Sequence, residues 1–150
     1  MAFVKQRDFD LFQSFNKELL NDFIETPVIV YKISQGNVAE NVYGESVGGK
    51  SYMTGLQVNA YIDREDQVTD YEAFGSDVKQ SITFRFLRTT LVDVNVVLQI
   101  GDVLSFNDAY FEINGIIENE LVAGNTGFSN SIIVSAQMKR RSGLNIEELY

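Results

Sequence analysis

Gly44-Glu45-Ser46-Val47-Gly48-Gly49-Lys50-Ser51 satisfies G-x-x-x-x-G-K-[ST], the spacing of a phosphate-binding loop. That chemistry needs backbone N–H groups curled round an anion, a lysine on the β/γ oxygens and a helix starting at Lys50. The residues after Lys50 instead alternate as a strand, Glu45 puts a negative charge in the cradle, and the chain lacks a βαβ rhythm. A P-loop nucleotide binder is therefore disfavoured. Asp63-Arg64-Glu65-Asp66-Gln67-Val68 opens like a calcium loop, but Val68 and Phe74 stand where an EF-hand requires Gly and Glu. Carboxylate pairs for glycoside hydrolysis meet only in three dimensions, and acidic residues this numerous give no signal. Lys139-Arg140-Arg141 could touch phosphate, though ending a strand in solvent is the simpler use.

Composition closes other routes. The 150 residues contain neither Cys nor His, so disulfides, thiolate or imidazole metal sites and Ser–His or Cys–His nucleophiles are excluded. No catalytic residue, metal site or cofactor is expected. Twelve basic against 21 acidic residues give a net charge of −9, which argues against general nucleic-acid binding. No apolar run reaches the roughly 18 residues of a membrane span, and charge enters residues 1–10 too early for a secretory signal. The charge is concentrated: residues 35–77 hold two basic and eight acidic groups, net −6.

The elements that would carry these residues form one domain. Phe12, Phe15, Leu19 and Phe23 lie on one face of a helix over about 8–25, started by Asp8 or Asp10 and ended at Pro27. That face suits core packing, with docking on a neighbouring subunit as the alternative. A β body follows over about 27–139. Val28–Ile33 reads as a strand, 35–50 as an irregular connection, and Met53–Ile62 as a half-buried strand with Leu56, Val58, Ala60 and Ile62 inward. Residues 63–77 read as an acidic loop, and Gln80–Leu87 as a strand burying Ile82, Phe84 and Phe86. The spacing over 89–100 favours a short helix or turn. Gly101 permits a left-handed turn that Asp102 closes, and Val103–Phe106 pairs with Tyr110–Ile117 around Asn107-Asp108. A last strand spans 131–139. The tail, about 140–150, lies outside the fold, either simply disordered or with Leu144, Ile146 and Leu149 spaced to add to a neighbour's sheet or groove. The fold class is mainly β, a small antiparallel barrel or sandwich with an N-terminal helix and long loops.

Several segments then fall in a telling order: Val42-Tyr43-Gly44-Glu45-Ser46, Val58-Asn59-Ala60-Tyr61-Ile62, Phe74-Gly75-Ser76-Asp77, Ile82-Thr83-Phe84, Ile100–Phe106 and Tyr110-Phe111-Glu112-Ile113. The series, from Asn41 to Glu118, resembles the neck (head-completion or stopper) proteins of contractile-tailed bacteriophages. The resemblance implies a virion structural protein without catalysis, assembled in the host bacterial cytoplasm. It implies a homo-oligomeric, hexameric ring that closes the DNA channel below the portal and adaptor and gives the tail its platform. Partners would be the portal or adaptor above and tail proteins below, with DNA passing without sequence-specific binding and no membrane. Tyr43, Gly44, Glu45, Gly101 and Asp102 would then be structural turns. On the same reading the acidic stretch, with Asp63, Glu65, Asp66, Asp70, Glu72 and Asp77, lines or plugs the pore. Phe12, Phe15, Leu144, Ile146 and Leu149 are the candidate interface residues. A tail terminator or another connector or baseplate component is the alternative.

Overall fold

The computed structural model describes residues 5–34, 51–64, 68–72, 75–121, 129–140 and 146. Helix α1 (Gln6–Glu18) starts with the Asp8 carboxylate accepting the Lys5 N–H at 3.1 Å, so Asp8 caps from inside the first turn rather than before it. The helix continues as a π-helical stretch, Leu19–Ile24, which ends at Glu25 in a left-handed conformation with φ 41°. Pro27 then opens β1 (Pro27–Tyr31), as its fixed φ and missing N–H require.

The remaining elements are β2 (Leu56–Asn59), β3 (Tyr61–Arg64), β4 (Val68–Glu72), β5 (Gly75–Lys79), β6 (Ser81–Leu87), α2 (Arg88–Asp93), β7 (Val103–Phe106), β8 (Ala109–Leu121) and β9 (Ser129–Lys139). Seven strands form one antiparallel sheet in the order β2-β1-β7-β8-β9-β6-β3. The hydrogen-bonding order is open, yet its two edge strands are consecutive in the chain with only Ala60 between them. Asn59 and Tyr61 can be no more than about 7 Å apart, so the sheet must roll until its edges nearly meet. Asn59 pairs with Pro27 on one side of this seam and Tyr61 with Arg85 on the other. The result is an open sheet rolled like a small barrel, with Ala60 carrying the chain across the seam. Register shifts in β8 between Ile113 and Gly115 and beyond Ile117 supply the local bending that such curvature needs.

One core fills the rolled sheet. Ile82, Phe84 and Phe86 alternate inward from β6, as their spacing predicts, and meet Val28, Val30, Val58, Ala60, Phe111 and Val134. The Phe84 ring lies 5.9 Å from Phe111 and 6.4 Å from Phe106, both edge-on. Leu91 of α2 and the following Val96 and Leu98 press onto the same core. The β7–β8 turn holds Asn107 and Asp108 at φ 50° and 61°, the paired positive values of a two-residue hairpin.

Two sequence expectations need correction. Residues 63–77 are not a loop throughout: Asp63 and Arg64 end β3, and β4 and β5 form a separate two-stranded hairpin. The expected core face of the helix is not the buried one. Phe9 and Leu20 are buried, whereas Phe12, Phe15, Leu19 and Phe23 are exposed. Residues 35–50 and 122–128 lie outside the described residues, as does the tail apart from Ile146.

Candidate assembly surface

The nucleotide reading fails at the residues after Lys50. Ser34 N–H donates to the Ser51 carbonyl at 2.9 Å, Met53 N–H donates to the Lys32 carbonyl at 2.8 Å, and Tyr52 bridges Ile33. Extended pairing thus occupies the stretch where a phosphate cradle needs its helix. Gly44 and Lys50 themselves lie outside the described residues, as do Tyr43 and Glu45. Among the described residues no group of three or more His, Cys, Asp or Glu could hold a metal ion. No helix among them is long and apolar enough to cross a membrane.

Gly101 and Asp102 instead form a structural knot. Gly101 has φ 97°, and a Cβ there would stand 2.9 Å from Ile33 Cδ1, so both backbone and space call for glycine. Asp102 is fully buried. Its carboxylate accepts the Lys32 ammonium at 2.6 Å, the Ile33 N–H at 3.0 Å and the Gln99 N–H at 2.8 Å. Lys32 also donates to the Val97 carbonyl. The Asp102 backbone completes the tie, its carbonyl accepting the Ile113 N–H at 2.9 Å. One residue thereby fastens the end of β1, the 97–101 turn and the middle of β8. Nearby Tyr52 is held above the ordinary phenol value by burial, then by the negative charges of Glu112 and Asp102. Its hydroxyl is buried and has no hydrogen-bond partner among the described residues.

The surface, rather than a cleft with reactive groups, carries the recognition features. Leu11, Phe15 and Phe23 are 73%, 63% and 82% exposed along the helical segment. They stand on the side away from Phe9 and Leu20, which anchor it. Lys17 ties the helix to Asp93 at the end of α2 in an ion pair of 2.5 Å. A groove of about 370 Å³ separates the helix from the barrel wall, lined by Phe12, Leu19 and Ile24 on one side and Tyr61, Arg85 and Leu87 on the other. The Asn16 amide nitrogen in this groove is buried without a hydrogen-bond partner among the described residues.

The acidic hairpin is the second feature. In its register Asp70 stands directly opposite Asp77, Glu72 opposite Gly75 and Val68 opposite Lys79. Asp63 is paired on β3 opposite Thr83, while Glu65 and Asp66 lie outside the described residues. Ile146 is half-buried, and Leu144 and Leu149 are outside the described residues.

Sequence reasoning missed Lys32, Leu11, Arg85 and Leu87. Lys32 had a signal: it is a lone cation ending the run Val28–Tyr31, where an inward charge demands a counter-charge. The groove residues had none, since the groove is assembled from four separated segments. No family model and no curated protein matches the chain. Among solved structures, a chain from the virion of a native gene transfer agent particle is similar, with a TM-score of 0.48 and 11% identity over 74% of this chain and 90% of that chain.

Proposed function

We propose that this chain is a structural subunit of a tailed-phage virion, a ring-forming neck protein that closes the DNA channel and offers the tail a platform. The observation that carries the reading is the exposed aromatic helix on a rigid barrel. Leu11, Phe15 and Phe23 form an apolar stripe that water covers only at a cost, and such patches mark protein–protein contacts. The family-like segments support it by their place in the fold: Val58–Ile62 crosses the seam, Ile82–Phe84 feeds the core, and Gly101-Asp102 ties the barrel.

The hairpin β4–β5 is the element that reaches the axis of the ring. Its acidic residues Asp70, Glu72 and Asp77, with Asp63, Glu65 and Asp66 preceding them in the chain, repel phosphate, so a genome is dammed by shape without being gripped. No catalytic step is assigned to the chain. The test is recovery of its peptides from purified, nuclease-treated particles, with antibody label at the head–tail junction. Label at the junction supports the reading, and particles free of the chain overturn it.

A further inference from the structure

We propose that the tail of one copy, residues 141–150, docks in the groove between helix and barrel of the next copy, making a head-to-tail contact. This rests on the reading of the chain as a ring subunit and names the contact that joins successive subunits. The groove is apolar along both walls, with Phe12, Leu19 and Ile24 facing Tyr61 and Leu87; it presents the Asn16 amide, buried without a partner among the described residues, and the exposed edge of Arg85. The tail matches it in chemistry: Leu144, Ile146 and Leu149 supply spaced apolar side chains, and Glu147 and Glu148 supply acceptors for the amide and the guanidinium.

Reach decides which copy is served. The groove sits at the start of β9, beside Asn130 and Ser131, whereas the tail leaves from the far end of that strand at Lys139. Eight residues of strand place those ends about 26 Å apart. Leu144 is five residues beyond Lys139 and can travel at most about 18 Å. It therefore falls short of the Asn130–Ser131 end of its own groove, which only residues from 147 onward could reach, so Leu144 and Ile146 seat there only in another copy's groove. Ile146, half-buried in the isolated chain, does not line its own groove either. A groove on one end filled by a tail from the other is a heterologous contact, which closes into a ring when its rotation permits.

The chain has no cysteine, so single cysteines report the contact without background. Full-length Asn130→Cys and Ile146→Cys proteins, each checked for the parent melting temperature, are mixed and oxidised. The expected result is a crosslinked heterodimer that neither variant forms alone and that excess synthetic peptide of residues 141–150 suppresses. No heterodimer up to the solubility limit overturns the proposal. So does an intramolecular crosslink in the dilute double variant. If the heterodimer forms but particles lack the chain, the contact stands and the virion reading falls. If particles contain both variants and they do not crosslink there, the contact alone falls.

Discussion

Replacing Asp102 by Asn removes a buried charge while keeping its shape, and the consequences can be worked from the knot it makes. The carboxylate accepts three hydrogen bonds, from Lys32, Ile33 and Gln99. A carboxamide offers one acceptor oxygen and turns an NH2 toward another donor, and the Lys32 ammonium loses its counter-charge. Breaking a buried pair from one side costs about 3–5 kcal/mol. Lys32 keeps 22% exposure and can partly rehydrate, so the lower end, about 3 kcal/mol, applies. At about 2–4 °C per kcal/mol for a chain of this size, the melting temperature falls by about 9 °C. The half-exposed Lys17–Asp93 pair is the control: Lys17→Ala costs less than about 1 kcal/mol. Thermal unfolding followed by circular dichroism measures both. Lys32→Met combined with Asp102→Asn should cost less than the two single losses together, because the second change no longer strands a charge. If Asp102→Asn melts within a degree or two of Lys17→Ala, or the two losses simply add, the knot is not the fastening described.

Gly101→Ala should lower stability by about 1–3 kcal/mol, and Ile33→Val, by removing the Cδ1 atom in its way, should restore only the steric share. Tyr52→Phe tests a sign. With the folded value raised, tyrosinate is disfavoured in the fold, so stability is full below the ordinary phenol value near 10 and falls as pH rises above it. Parent protein should lose melting temperature above about pH 10, and the Phe variant should lose less, without weakening at pH 7, where its missing hydroxyl had no partner among the described residues. Phe15→Ser with Phe23→Ser should leave the melting temperature within a few degrees, since both are exposed, while abolishing self-association in sedimentation. Asp70→Lys with Asp77→Lys should leave the barrel intact and slow genome release from particles, most strongly at low salt.

How much of the fold is legible in the sequence depends on how local each determinant is. The β7–β8 hairpin is legible because Asn107 and Asp108 tolerate the positive φ its turn demands and the flanking residues alternate. The helix end is legible because Pro27 excludes continuation. The face that the helix buries is not. Phe9 and Leu20, eleven positions apart, fall on one α-helical face and are the buried pair, although the neighbouring face holds more apolar residues, so counting apolar side chains picks the wrong face. The acidic stretch reads as loop because Asp and Glu are poor strand formers. It forms a hairpin outside the main sheet. The Lys32–Asp102 tie spans seventy positions, and no spacing rule reaches that far.

In the proposed ring the helix face of each barrel is covered and its acidic hairpin turns to a channel. A side-chain-resolution image of the assembled head–tail junction is the decisive measurement. Density for this chain should repeat about one axis, with the hairpin 68–79 pointing inward and Phe15 and Phe23 buried against a neighbour. A ring in which that hairpin lies on the outer rim and the helix faces solvent would contradict this arrangement.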